Sequence, residues 1–304
     1  MAKIRTVLND VGPEGLGLIY THEHLITYPP AVQKDRDLEL SSYECSLREL
    51  KIFKECGGTL LVEATTLDYG RDPSAMARMS KEAGVPVVAV SGFNKAAYFP
   101  LWVDTTPLNG IADKLVRDVV DGMDGGPYKA GHLKSGGSYN FIHPLEEKTT
   151  RAVARAHKET GAPIWLHTEA GTMGLEMLDI LESEGVDLEA VVVGHSDRNP
   201  DPWYHASIAR RGATVQFDGV SKVKYHPDSA RIACVKALVE AGHAERLMIS
   251  GDMGRASYLA GYGGGPGFAF IATKFIPRMR DEGIAAELID TIFKANPVRW
   301  LARF

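Results

Sequence analysis

The chain has 304 residues, of which 44% are hydrophobic, 24% charged and 8% aromatic. These are the fractions of an ordinary globular protein, and they exclude collagen-like, disordered and coiled-coil classes. Lys and Arg number 34 against 39 Asp and Glu, a net charge of -5 with no basic stripe, so nucleic acid is not an expected partner. No run of about 18 apolar residues occurs, so we expect no membrane partner either.

The cysteines and the start of the chain bear on the compartment. Cys45, Cys56 and Cys234 show no paired spacing, which is typical of proteins from a reducing compartment. The first residues contain no apolar stretch of the length that a signal peptide needs. We therefore expect a cytoplasmic protein.

Eight short apolar runs recur along the chain, each followed by polar residues and a helical pattern. They span residues 16–21, 59–66, 85–91, 130–134, 163–167, 190–195, 213–218 and 247–252. Runs rich in Val, Ile and Leu without polar alternation are typical of strands buried on both faces of a parallel sheet. Helices are predicted between them, for example over residues 146–160, before Gly161, and 175–184, before Gly185.

This alternation predicts an α/β protein, and eight repeats predict a closed (β/α)8 TIM barrel. A doubly wound open sheet is the competing fold, but it requires a glycine-rich turn after its first strand. Here the first strand runs into His22, Glu23 and His24, without glycine. No linker or low-complexity tract divides the chain, so we expect a single domain over residues 1–304.

Metal-ligating residue types stand at the predicted strand ends. They are His22 and His24 after the first strand, Lys134 at the end of the fourth, His167 of the fifth, His195 of the sixth and Asp252 of the eighth. The C-terminal ends of barrel strands face one mouth, where active sites lie. Residues two apart on a strand point the same way, so His22 and His24 both reach one ion. We interpret the set as a metal site rather than core packing.

The ligand types favour zinc, with manganese, cobalt or iron as alternatives. Four histidines and a carboxylate exceed the needs of one catalytic ion but suit two ions about 3.5–4 Å apart. Lys134 would repel cations as an ammonium. As a neutral amine it can add carbon dioxide and form a bridging carbamate, a step that the sequence leaves open. His132 is expected deeper in the barrel, and Asp218 beside the ligands rather than among them.

Five motifs resemble the metal motifs of phosphotriesterase-like hydrolases in the amidohydrolase superfamily. They are Thr21-His22-Glu23-His24, Gly131-His132-Leu133-Lys134, His167-Thr168-Glu169, Gly194-His195-Ser196-Asp197 and Ser250-Gly251-Asp252. The resemblance covers nearly the whole chain and implies a barrel with a binuclear centre. It implies that His22 and His24 bind the more buried ion, that His167 and His195 bind the more exposed one, and that carboxylated Lys134 bridges them.

The resemblance also implies a mechanism, in which Asp252 binds the buried ion and handles protons while a metal-bridging hydroxide attacks the substrate. Family analogy hints at a homodimer, although the sequence shows no interface signature. The substrate is not settled at this level, because the same centre opens phosphotriesters, lactones and amides.

The loops after the seventh and eighth strands bear on the substrate, because barrel enzymes often bind a phosphate there. Lys224, Arg255 and Tyr258 supply donors for a dianion in these loops. With Tyr98 from the loop after the third strand, they resemble the phosphate-binding set of phosphofuranose lactonases in this family. Two further cations of this region, Lys222 and Arg231, are candidates for steering the anion, and the sequence leaves open whether they contact the substrate.

The sequence therefore predicts a metal-dependent lactonase that opens a phosphorylated sugar lactone of the furanose 1,4-lactone 5-phosphate type. One alternative is an amidase or carboxyl-ester hydrolase for a small anion such as an N-acyl amino acid, and another is a promiscuous lactonase or phosphotriesterase. A non-enzymatic binding protein on a retained barrel is disfavoured, because all six metal-site positions are present.

Overall fold

A computed structural model describes residues 2–304 and shows the barrel that the sequence predicts. The barrel strands are Leu18–Glu23, Gly58–Glu63, Val87–Val88 with Val90–Gly92, His132–Gly137, Ile164–Thr168, Val191–Val193, Thr214–Phe217 and Leu247–Ile249. Neighbouring strands pair in parallel, in two arcs that meet at Ala89, where the third barrel strand is interrupted. The prediction of a (β/α)8 barrel is confirmed.

The barrel closes between its eighth and first strands through polar groups rather than a regular ladder. The backbone N–H of His22 donates to Ser250 Oγ at 3.0 Å. The N–H of Asp252 donates to the carbonyl oxygen of His22 at 2.9 Å. This closure therefore brings the residues after the eighth strand directly against the histidines of the first.

Helices cover the outside of the barrel, as the repeat predicts. The longer ones are Tyr43–Glu55, Pro73–Ala83, Leu108–Val120, Pro144–Thr160, Gly174–Ser183, Pro202–Arg210 and Asp228–Glu240, and shorter turns run from Ile271–Phe275 to Asn296–Leu301. The helix predicted over 146–160 begins two residues earlier and ends at Thr160, before Gly161, whose φ is 74°. No helix in residues 2–304 is both long and apolar enough to cross a membrane.

The interior of the barrel has an apolar floor beneath its mouth. Trp165, Met248 and Trp300 belong to one buried cluster with side chains from the first, second and sixth strands. The ring of His132 lies 5.6 Å from that of Trp300, so this histidine is buried in the floor, as predicted. Polar side chains above the floor are therefore shielded from water on their lower side.

A short antiparallel pair, Ile4–Arg5 with Asp10–Val11, precedes the barrel and was not predicted. The buried side chain of Ile4 joins the floor cluster, and the Lys3 N–H donates to the carbonyl oxygen of Phe304. The two ends of the chain thus meet at the end of the barrel opposite the mouth.

Candidate active site

The mouth of the barrel holds a cavity of about 280 Å³. This volume is close to the lower limit, about 300 Å³, of pockets that bind small molecules. The six predicted metal ligands and the four predicted phosphate-binding residues all line it. We call six of them the deep cluster: His22, His24, Lys134, His167, His195 and Asp252. We call the other four the rim cluster: Tyr98, Lys224, Arg255 and Tyr258.

His22, His24 and Asp252 converge on one point. Asp252 Oδ1 lies 3.5 Å from His22 Nε2 and 3.3 Å from His24 Nε2. The hydroxyl of Thr65 donates to Glu63 Oε1 at 2.5 Å and so accepts from His24 Nδ1 at 2.7 Å. Because the ring proton of His24 is on Nδ1, its Nε2 presents a lone pair to the carboxylate oxygen. Two acceptors that face each other at this distance fit a cation between them.

His167 and His195 form a second such point. His195 Nε2 lies 3.0 Å from His167 Nδ1. The outer nitrogen of each ring faces a carboxylate, with Asp218 Oδ1 2.6 Å from His195 Nδ1 and Glu169 Oε2 3.2 Å from His167 Nε2. The carboxylates accept hydrogen bonds from the N–H groups of these outer nitrogens. The inner nitrogens, His195 Nε2 and His167 Nδ1, therefore carry lone pairs, and these face each other inside the site. This arrangement also fits a bound cation.

The surroundings of His22, His167 and His195 keep these three imidazoles neutral, the form that binds metal. Burial lowers the pKa of His22, His167 and His195 below the usual value for histidine. Neighbouring cations, such as Lys134 beside His22, act in the same direction. The donor set therefore fits divalent metal ions, which prefer neutral imidazole and carboxylate ligands.

Lys134 lies in the middle of its strand, and not at the end where the sequence placed it. Its Nζ donates to the carbonyl oxygen of Ala64 at 3.0 Å and lies 4.7 Å from the centre of the Trp165 ring. Burial lowers the pKa of this amine to about 8, against the attraction of carboxylates around it. A larger fraction of the amine is therefore neutral near pH 7 than for an exposed lysine.

Asp252 is fixed more tightly than the sequence indicates. It adopts a left-handed φ of 46°, unusual for a residue other than glycine, just beyond its strand. Its Oδ2 accepts from Lys222 Nζ at 2.6 Å and from Arg198 Nη2 at 2.9 Å. Burial alone would raise the pKa of Asp252, but Lys222 and the neighbouring histidines hold it well below the usual value. The carboxylate therefore stays ionised.

Two predicted anion-steering cations have other partners. Lys222 lines the cavity, but its ammonium is bonded to Asp252, both at the carboxylate and at the backbone carbonyl. The prediction for Arg231 is wrong, because this side chain is buried and does not line the cavity. It donates to Asp197 Oδ2 at 2.6 Å and to Asp228 Oδ1 at 3.0 Å and braces the loops behind the site.

The rim cluster differs, because its members keep donors without partners. Arg255 forms its ion pairs through Nη1, which lies 2.5 Å from Asp35 Oδ2 and 3.3 Å from Asp37 Oδ2. Within residues 2–304, its Nε and Nη2 have no acceptor, and the same holds for the ammonium of Lys224 and the hydroxyl protons of Tyr98 and Tyr258. Unused donors on one side of a cavity are suited to an anion.

Sequence reasoning missed several residues of the site. Arg198, Glu169 and Lys95 line the cavity. Glu169 Oε2 accepts a hydrogen bond from Lys95 Nζ at 2.6 Å and also faces His167 Nε2. Each follows a barrel strand by a few residues, and that position is the signal that could have found them. Gln33, from the loop after the first strand, also lines the cavity and carried no comparable signal.

Comparison with known proteins identifies the family. A model of the phosphotriesterase family matches residues 2–301. The chain belongs to this family. A lactonase from Listeria monocytogenes has a structure that covers all of both chains, with a TM-score of 0.96 and 42% identity. This member of the phosphotriesterase family is therefore a metal-dependent hydrolase.

Two other relatives are informative. The phospho-furanose lactonase of Mycoplasmopsis synoviae is 33% identical over 98% of this chain and 91% of its own length. The phosphotriesterase homology protein of Escherichia coli was solved with phosphate in its active site, and its TM-score is 0.92 at 36% identity over 96% of this chain and all of that one. The activity and the ligand in these names are those of the two relatives.

Proposed function

We propose that this phosphotriesterase-family hydrolase opens a phosphorylated sugar lactone of the furanose 1,4-lactone 5-phosphate type. The observation that carries the proposal is the division of the cavity's cations. Lys95, Arg198 and Lys222 are bonded to carboxylates, whereas Lys224 and most of Arg255 have no hydrogen-bond partner within residues 2–304. The unbonded donors lie together at the rim, where a phosphate remote from the reacting carbonyl would bind.

The deep cluster supplies the metal ligands in this proposal. His22, His24 and Asp252 would hold one ion, and His167 and His195 would hold the other. We assign zinc, with manganese or cobalt as alternatives, because imidazole and carboxylate ligands suit all three.

Lys134, carboxylated by carbon dioxide, would bridge the two ions. The reason is that the Lys134 amine lies near both groups of histidines, since its charge lowers the pKa of His22 in one group and of His167 in the other. Its burial in the strand wall gives the amine a water-poor site facing both groups.

Ions held there supply Lewis acidity for the lactone carbonyl and for the attacking water. Asp252 is the proton carrier of this chain. Its carboxylate takes the proton of the attacking water and gives it to the ring oxygen when the C–O bond breaks. Because Lys222 and the neighbouring histidines hold the pKa of Asp252 low, the protonated acid gives up this proton readily to an alkoxide.

The rim cluster acts on position rather than on the reacting bond. Lys224 and Arg255 would hold the phosphate by charge, and the hydroxyls of Tyr98 and Tyr258 would add directed hydrogen bonds. Binding energy at the phosphate then fixes the lactone carbonyl against the deep cluster. The names of the lactonase relatives and the phosphate in the Escherichia coli structure support this assignment.

The test is hydrolysis of furanose 1,4-lactones, each with and without a 5-phosphate, by zinc-loaded protein, followed by proton release. We expect kcat/KM to be about a hundredfold higher with the phosphate, the effect of two or more charge-assisted hydrogen bonds. Arg255→Ala should lower turnover of the phosphorylated lactones far more than that of the others. Equal turnover of both forms would contradict the phosphate assignment. Faster turnover of N-acyl amino acids would favour an amidase.

A further inference from the structure

The loop between the first barrel strand and the first helix covers the rim side of the cavity. Its base is closed by paired backbone hydrogen bonds between Thr27 and Leu40. Its tip carries Gln33, Asp35 and Asp37, whose side chains contact members of the rim cluster or their immediate neighbours. We call residues 28–39 the first loop.

Both the oxygen and the nitrogen of the Gln33 side-chain amide form hydrogen bonds. Its Oε1 accepts from the backbone N–H of Asp35 at 3.1 Å, and its Nε2 donates to the Tyr98 hydroxyl oxygen at 3.2 Å. The Asp35 N–H can only donate, so it fixes which end of the amide is the oxygen. The Nε2 end must therefore face Tyr98.

This orientation decides the direction of the Tyr98 hydroxyl. Because the phenolic oxygen accepts from Gln33, its own proton points away from Gln33. No acceptor among residues 2–304 takes that proton, and Tyr98 lines the cavity. The proton is therefore available to a ligand oxygen in the cavity. An aspartate or glutamate in the place of Gln33 would instead accept that proton.

The same loop also holds Arg255. Asp35, whose N–H is bonded to Gln33, presents Oδ2 to Arg255 Nη1, and Asp37 accepts from the N–H and hydroxyl of Ser257 at 2.8 and 2.6 Å. One edge of the guanidinium is thus tied to the first loop while the other edge is unbonded. Gln33 is thus bonded to Tyr98 itself and to Asp35, which supports Arg255.

We propose that Gln33 is a positioning residue for the substrate phosphate, which acts by directing the hydroxyl proton of Tyr98 into the cavity. This inference rests on the proposed function, because it assigns the anion of that substrate as the acceptor. Gln33 acts through Tyr98 and takes no part in the reaction at the carbonyl.

A double-mutant cycle tests it, with kcat and KM measured for a furanose lactone 5-phosphate and for the same lactone without phosphate. Gln33→Met keeps the length of the side chain and removes both hydrogen bonds. We expect kcat/KM for the phosphorylated lactone to fall about tenfold, mainly through KM, the effect of one lost hydrogen bond to a charged group. The unphosphorylated lactone should change less than about twofold.

The cycle is completed by Tyr98→Phe, which removes the hydroxyl that Gln33 directs. In that background Gln33→Met should have almost no further effect, because the two residues act as one unit and water replaces Gln33 at the N–H of the exposed Asp35. Gln33→Glu should lose more than Gln33→Met, since a carboxylate accepts the Tyr98 proton and repels the phosphate. Val32→Ala, at an exposed side chain of the same loop, serves as the control and should leave both substrates unchanged.

A tenfold loss that persists in the Tyr98→Phe background, or that is equal for both lactones, would show a merely structural role for Gln33. No loss in Gln33→Met would also overturn the inference. Failure of the proposed function itself is seen separately, because wild-type protein would then show no preference for the phosphorylated lactone.

Discussion

The deep cluster and the rim cluster share one cavity but differ in how their polar groups are bonded. In the deep cluster, Asp252 Oδ2 has two cationic partners, and the outer nitrogens of His24, His167 and His195 each have a hydrogen-bonding partner. Among residues 2–304, the inward-facing nitrogens and Asp252 Oδ1 are left without a donor, and His22 Nδ1 has no hydrogen-bond partner either. In the rim cluster the unused groups are donors instead.

This difference shows what each half of the cavity is prepared to bind. Converging acceptors fit cations, and converging donors fit an anion. Each half is also braced by a buried glutamate: Glu23 accepts from the backbone around Asp252, and Glu49 accepts from Gly261 and Phe268 at the two ends of the glycine-rich tract. The two halves are thus separately supported, and single substitutions should separate them.

The largest effect is expected in the deep cluster, at Lys134. Lys134→Met retains the length of the side chain but cannot form a carbamate. We expect the content of bound metal to fall below two ions per chain and kcat to fall about a thousandfold, since the activation of water by both ions is lost. Mass spectrometry of the metal content and turnover of both lactones measure this. Two retained ions with full turnover would contradict the role of Lys134.

Lys222 and Lys224 offer a matched pair, because they lie two residues apart on one loop. The ammonium of Lys222 is buried against Asp252, whereas that of Lys224 is exposed and has no hydrogen-bond partner in the described part of the chain. Lys222→Met should lower kcat for lactones with and without phosphate by a similar factor, about a hundredfold, because it leaves a buried carboxylate short of a partner.

Lys224→Met should act on the phosphorylated lactone alone, about tenfold and mainly through KM. Steady-state kinetics of the two variants on both lactones give the comparison. Identical substrate profiles for the two variants would remove the distinction between the deep cluster and the rim cluster.

The hydrogen bonds of Glu49, which support the rim cluster, predict that a substitution there changes the free energy of unfolding. Glu49 is fully buried, and its two oxygens accept from the N–H groups of Gly261 and Phe268, each at 2.6 Å. Glu49→Gln keeps the shape but presents an amide N–H₂ to one backbone N–H. We expect the free energy of unfolding to fall by about 2 kcal/mol, the cost of an unsatisfied buried donor. Urea unfolding measures it, with Glu44→Gln on the same helix as control.

The smallest effect concerns pH and lies outside both clusters. Burial lowers the pKa of His157, whose Nδ1 lies 2.8 Å from the Ala162 carbonyl oxygen. The folded state therefore binds this proton more weakly than the unfolded state, so the contribution to stability is full above pH 6.5 and is lost as the pH falls.

Between pH 6.5 and 5.5 wild-type protein should lose up to about 1 kcal/mol more unfolding free energy than His157→Gln. Urea unfolding of both proteins at the two pH values gives this difference. Parallel losses in the two proteins would contradict it.

The sequence predicts that the six side chains of the deep cluster meet at one mouth, because they are attached to strands whose ends the βα repeat brings together. It does not predict the partners of the loop residues. The contact between Asp35 and Arg255 joins residues 220 positions apart, and nothing local specifies it. Nor does the sequence distinguish Lys222 from Lys224, which depends on the turn at Ser221, where φ is 70°. The burial of Arg231 against Asp197 and Asp228 could not be predicted for the same reason, because it depends on the partners of a loop.

The most direct measurement is a crystal structure of zinc-loaded protein with the 5-phosphorylated open-chain acid that the proposed reaction produces. The account predicts the phosphate within hydrogen-bond distance, about 3 Å, of Lys224, Arg255, Tyr258 and Tyr98, and the carboxylate product against the deep cluster. A phosphate bound at the deep cluster, with the rim donors unengaged, would contradict the division of the cavity on which the account rests.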